Sequence, residues 1–221
     1  MTITPHPSLN IGLSIRILLG AAAAIAIGCS PLSHSIPETH RYQVVTTPVN
    51  ASVPDRVTLQ VSGVGGAGPY QDTGIATQTS SYKIDSYHFH RWTAPPTEIV
   101  AERLRAIVYR PAGSADNSKD PAVATLEAQI KAFQQVNQGG TAAGLVDIDF
   151  CIYPTTPFQR AYWCQEMSKS TPAKNDSPEA AAEAVSASLD DVLHQFAGAL
   201  PDAVSHIPSP KPAKSDAPTA G

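Results

Sequence analysis

The chain is sparing with several residue types. Of its 221 residues only 15% are charged and 6% aromatic, and there are three cysteines, two methionines and two tryptophans. The formal net charge of -4 leaves no cationic excess to track a phosphate backbone, which excludes a general nucleic-acid binder. Three cysteines are too few for a disulfide-scaffold fold. The longest apolar run, Ile17 to Gly28, has twelve residues, short of the ~20 that a spanning helix needs. Hydrophobic residues still make up 42%, enough for one packed core. Proline is the plentiful oddity: there are twenty, and eleven of them fall before Pro69 or after Leu200.

The N-terminus reads as a targeting segment. Arg16 is the only charge in residues 1–28, and the short apolar run follows it directly, which is the anatomy of a signal peptide. The run ends in Ala26-Ile27-Gly28-Cys29, a tetrapeptide that resembles the lipobox of bacterial lipoproteins. The resemblance implies cleavage after Gly28 and lipidation (palmitate among the acyl groups) of Cys29. At ~0.8 kcal/mol per buried methylene, two or more acyl chains anchor stably where one is marginal. Ser30 rather than Asp after the cysteine resembles lipoproteins that reach the periplasmic face of an outer membrane. An ordinary cleaved signal with a cysteine near the cut is the alternative. Losing residues 1–28 makes the chain one unit more acidic than -4, so membrane attachment would rest on acyl chains and not on charge.

With Cys29 set aside, Cys151 and Cys164 remain. An exported chain meets an oxidising compartment in which two thiols tend to pair. Leu145 to Tyr153 alternates, with Val146, Ile148, Phe150 and Ile152 on one face and Asp147, Asp149, Cys151 and Tyr153 on the other, the pattern of a half-buried strand. Pro154-Thr155-Thr156-Pro157 is a loop signal, and Ala161 to Met167 reads as the returning strand. Such a hairpin sets the two cysteines nearly opposite each other on its outer face, and a disulfide is expected. Two free thiols are the alternative; zinc fits less well, because no third and fourth ligands are near.

The remaining chain divides readily. Residues 29–40 read as a tether. Short β-rich runs follow at Arg41 to Val45 and Arg56 to Val61. Gly63, Gly65 and Gly68 match the spacing of a dinucleotide fingerprint, but Pro69 to Gly74 continues as turn signal and opens no helix, so the match is rejected. Tyr82 to His90 suggests two short strands about a turn at Asp85-Ser86. His88 and His90 could chelate at two-residue spacing, but no cluster of other ligands supports a metal site. Pro95 and Pro96 open a helix with Val100, Leu104, Ile107 and Val108 on one face, stopped at Pro111. Ala124 to Val136 alternates Leu126, Ala128, Ile130 and Ala132 against Glu127, Gln129, Lys131 and Phe133, a strand with one wet face. With the next two strands it makes an antiparallel meander. Ser177-Pro178-Glu179 starts a second helix, with Ala181, Val185, Leu189, Val192 and Phe196 repeating to Ala199. Residues 201–221 read as a proline-rich tail without a core.

These pieces predict an α+β domain over residues 41–200: a two-layer sandwich of two main helices on a mostly antiparallel sheet. Their order and wording are similar to the ABC-type transport auxiliary lipoproteins, the PqiC-like family. The resemblance rests on Cys29, Tyr42, the Pro69-Tyr70-x-Asp72 turn, the phrase Arg91-Trp92-Thr93-Ala94-Pro95, the helix bearing Ile99 and Leu104, the strand ending near Phe133, and the Ala-rich helix from Glu179. The family's usual phrase has Ala where Thr93 stands, and often Arg where Thr73 stands. The resemblance implies an accessory of envelope lipid transport that works with an MCE-domain protein and ABC transporter components, as a non-catalytic docking or tunnel-end subunit without a cofactor. Arg91, Trp92 and Pro95 would then form a structural motif fixing how the first helix meets the sheet. A stand-alone periplasmic lipoprotein holding phospholipid between sheet and helices is the second reading. Ser, His and Asp fall in no arrangement that pairs a nucleophile with a base, so no enzyme is expected. Short edge strands permit a homo-oligomer, though no residue specifies one.

Overall fold

The computed structural model describes residues 37–109, 121–156 and 159–209. Cys29, Pro111, Pro157, the signal segment, most of the tether and residues 210–221 lie outside them. The chain divides into two compact units, 1–37 and 38–221, and every element below belongs to the second.

Seven strands form one mixed sheet covered by two helices. The strands are β1 (His40–Tyr42), β2 (Val57–Gly66), β3 (Gly74–Ser80), β4 (Lys83–Trp92), β5 (Ala122–Gln138), β6 (Thr141–Pro154) and β7 (Trp163–Pro172). The helices are α1 (Pro96–Val108) and α2 (Pro178–Ser205). Strand order is β1-β4-β3-β5-β6-β7, with β2 also on β5. The long ladders, β5 with β6 and β6 with β7, are antiparallel, as the meander pattern predicted. β2 and β3 both run parallel to β5, one along its first half and the other along Gln134 to Val136. Together they line one side of β5, interrupted by a 3-10 turn at Gly68–Gln71, and β4 pairs the far side of β3. Gly63 and Gly65 therefore lie inside a strand, which removes the phosphate-loop reading on structural grounds.

The core is the apolar set of β5, β6 and α2. Leu126, Ile130, Val146, Ile148, Phe150 and Ile152 face Val185, Leu189, Val192 and Phe196, all essentially inaccessible to water. Phe150 and Phe196 stack with ring centroids 4.5 Å apart, a spacing at which aromatic pairs add to simple burial. β6 and α2 are in close contact at Gly144. A Cβ there would overlap the backbone of Ala184 and Val185.

Three expectations are corrected. Phe133 does not face water; it is fully buried and meets Trp92 edge-to-face at 5.5 Å. The cause is a β-bulge: Ile130 pairs with Ile148 but Ala132 with Asp147. Lys131 is thus one residue too many and reverses the alternation after it. β4 is one continuous strand, and the turn before it is at Ser81-Tyr82 rather than Asp85-Ser86. Asp85 and Ser86 are polar because that part of β4 is exposed, with Asp85 3.1 Å from Lys83. α2 runs through Pro201 to Ser205, and Ala203, Val204 and Ile207 are buried. The front of the expected tail therefore belongs to the core. Arg56 holds this end by donating to the carbonyls of Val204 and Ile207 at 3.1 and 3.0 Å.

Candidate functional site

Three places gather the residues singled out by the sequence. The first is the junction around Arg91 and Trp92. The amide of Trp92 donates to the Thr73 carbonyl at 2.7 Å, and that of Thr93 donates to the Tyr42 carbonyl at 2.9 Å. Arg91 reaches Asp72 at 3.4 Å and the Thr73 hydroxyl at 3.2 Å. Asp72 in turn accepts from the Thr73 amide at 2.6 Å. The two phrases separated in sequence, Pro69 to Thr73 and Arg91 to Pro95, are therefore one knot in space. Pro95 closes it, because its carbonyl accepts the first amides of α1, from Glu98 and Ile99, each at 3.0 Å. A fixed φ suits proline at a helix start. Trp92 is wholly buried, so this motif organises the fold and offers no ligand-facing aromatic.

The second place is the outer face of the meander. Cys151 and Cys164 are direct partners across β6 and β7, with Cα atoms 4.2 Å apart, and are joined by a disulfide. Beside them Lys131 bridges Asp149 at 2.9 Å and Glu166. Those two carboxylates, Glu166 first, hold the lysine above its usual range. Asp147 is pushed upward, by burial first and by Glu166 second, with Lys131 opposing. One of its oxygens is buried without a partner. Next to this cluster a trough of about 640 Å³ lies over the sheet, bordered by Gly63, Gly65, Glu127, Gln129 and Cys151; the Gln129 side chain fills the space beside Gly65.

The third place has no counterpart among the motifs of the sequence. Residues 42–47 run beside α2 and leave an apolar groove of about 440 Å³ between Tyr42, Val45, Ala182, Ser186 and Ala187. The segment is tied down at one end, where the amide of Val45 donates to the Ser186 hydroxyl at 3.3 Å and that of Thr47 to Asp190 at 2.6 Å. Thr47 also lies 3.4 Å from His194, but its hydroxyl points to Asp190 at 2.9 Å. The hint in the sequence was the run of Ala and Ser at helical spacing in α2, which reads equally well as close helix packing.

Of the described histidines, His40, His88, His194 and His206 are exposed and His90 is half-buried. His90 stacks on His40 at 5.1 Å and meets the Tyr42 hydroxyl at 2.9 Å, while His88 lies against Phe89. No group of three metal-binding side chains converges among the described residues. No helix among them is long and apolar enough to cross a membrane.

The model of the ABC-type transport auxiliary lipoprotein component family matches residues 42–197. The chain belongs to that family. Its match runs from Tyr42, through the Arg91 knot, to the core end of α2. Two solved structures share the fold. Protein XCC0632 from Xanthomonas campestris superposes with a TM-score of 0.61 at 17% identity, covering 75% of this chain and 96% of that one. A crystal structure described only as that of an uncharacterized protein gives a TM-score of 0.55 at 14% identity, covering 73% and 98%. At such identities the likeness is one of fold. None of the curated proteins matches the chain. As a member of this family, the chain is an auxiliary lipoprotein component of ABC-type transport.

Proposed function

We propose that this auxiliary lipoprotein is anchored through Cys29 to the periplasmic face of an outer membrane and serves an MCE-type lipid-transport system as a non-catalytic docking or tunnel-end subunit. The family match over residues 42–197 carries the reading. Ala26-Ile27-Gly28-Cys29 and Ser30 support the anchor. The fold suits such a part: a rigid sandwich whose core is filled by its own side chains, with edges and loops left for neighbours. Cys29→Ala tests it. The variant should leave the outer-membrane fraction and disturb envelope lipid homeostasis, whereas crosslinking of the unaltered chain should recover an MCE-domain protein. Unchanged fractionation, or crosslinking that never yields such a partner, rejects the proposal.

The groove beside α2 favours a second reading, a lipoprotein that holds one acyl chain itself. Its volume lies within the range of small-molecule sites, and its lining is largely apolar. Native mass spectrometry of the monomer decides between them: co-purified phospholipid lost on Ala187→Trp supports acyl binding, and a lipid-free monomer rejects it.

A further inference from the structure

We propose that the free edge of β2 is a docking site for an extended strand from another protein, apolar at alternate positions and bearing a carboxylate. The sheet leaves four strands with an unpaired edge among the described residues: β1, β2, the Lys83 to Phe89 part of β4, and β7. An open edge presents unpaired amides and carbonyls, and proteins protect such edges with charge, proline or short length. β1 is only three residues long and carries Arg41, the open part of β4 carries Lys83 and Asp85, and β7 carries Glu166, Lys169 and Pro172. β2 is the exception, with ten residues, VTLQVSGVGG, containing neither charge nor proline. It pairs with β5 from Val57↔Ala122 to Gly66↔Ile130, so its inner edge is used, and among the described residues no strand pairs with its outer edge.

The edge also has a groove for side chains. α1 lies along β2, and between them Val57, Leu59, Val61, Arg105, Val108 and Tyr109 line a cleft of about 380 Å³. A strand edge flanked by a helix is the arrangement used in strand addition, where main-chain bonds supply affinity and the cleft reads alternate side chains. Tyr109 is 73% exposed although it borders this apolar cleft. The charge of the partner follows from the cations. Arg56 is occupied by two carbonyls and Arg103 lies 3.7 Å from Glu102. Arg105 has neither a hydrogen bond nor an ion pair among the described residues. An incoming strand with a carboxylate satisfies it. A second copy's β2 would bring none, because β2 has no acidic residue. This site is separate from the groove beside α2 and does not depend on the transport reading.

The probe is a fluorescent nonapeptide with the sequence of Ala122 to Ile130, which alternates apolar positions around Glu127 and already matches the inner edge of β2. It is titrated into the full chain, with amide hydrogen exchange followed in parallel. The expected result is saturable binding and at least about tenfold slower exchange of outward amides between Thr58 and Val64. Arg105→Glu, an exposed change that spares the core, should weaken binding about fivefold or more. A peptide carrying Glu127→Lys should prefer the Arg105→Glu protein. No saturation below about 1 mM, or equal binding by both proteins, overturns the proposal. So do β2 amides already protected in the free chain, whether released by deleting residues 111–119 or by dilution of a dimer, since the edge is then covered from within or by a second copy.

Discussion

Replacing Gly144 by alanine tests how closely α2 is seated on β6. The new methyl would overlap the backbone nitrogen of Val185 and the carbonyl group of Ala184. These are main-chain atoms inside a 28-residue helix, so no rotamer change relieves the clash and the helix must lift. Overpacking of this kind costs about 1–3 kcal/mol. The lift also stretches the 2.8 Å bond from the Ser188 hydroxyl to the Gly144 carbonyl, a further loss of about 1 kcal/mol. Reduced freedom of the unfolded chain returns about 0.5–1 kcal/mol. The net loss is about 1–3.5 kcal/mol, or a fall in Tm of about 2–14 °C for a domain of this size. Gly198→Ala is the control, because it is the same chemical change within α2 where a Cβ meets nothing within 4 Å. There alanine should stabilise by up to about 1 kcal/mol through helix propensity alone. Thermal melts by circular dichroism read both. A Gly144→Ala melt within about 1 °C of the parent, or two shifts of the same sign, refutes the reasoning.

Other outcomes follow from the same geometry. Cys151→Ser with Cys164→Ser should lower stability by about 3 kcal/mol, given the 13-residue separation that the bridge closes; denaturant midpoints measure it, and intact mass must rise by the two hydrogens when the parent is reduced. Trp92→Ala should cost about 3–5 kcal/mol, the usual loss for a buried aromatic, with Trp92→Phe much milder because the indole N–H has no partner to lose. For Asp147 the folded state holds the carboxyl proton more tightly than the unfolded chain does, so its stabilising share is present at acid pH and is lost as pH rises through the raised value. Asp147→Asn should therefore raise Tm slightly near neutral pH, by the equivalent of about 0.5 kcal/mol, and the gain should vanish as pH falls below the carboxylate range. A gain that persists in acid counts against burial as the cause.

Periodicity along the chain makes much of this molecule legible. The 3.6-residue repeat of Val100, Leu104 and Ile107, and the two-residue repeat from Val146 to Ile152, each give an element and its buried face at once. The hairpin logic that set Cys151 opposite Cys164 depends only on strand alternation and loop length, both local. What failed was also local in origin but global in cause. Phe133 reads as wet until the bulge at Lys131 reverses the phase, and a bulge is visible only once β6 supplies the opposing register. Pro201 reads as a helix stop, yet α2 continues because Val204 and Ile207 gain burial and Arg56 caps the end. The groove beside α2 joins residues more than 130 positions apart, and no window of sequence brings Val45 to Ser186.

The chain by itself therefore determined most of the elements, the pairing of the two cysteines and the family resemblance, because spacing along one strand or helix is intrinsic to its backbone. Only the tertiary structure decided that β2 and β3 share one edge of β5, that the Arg91 phrase and the Asp72 turn form a single knot, and which strands lack a partner on one side among the described residues. Those depend on which distant segments pair, and long-range pairing is settled by burial summed over the whole core.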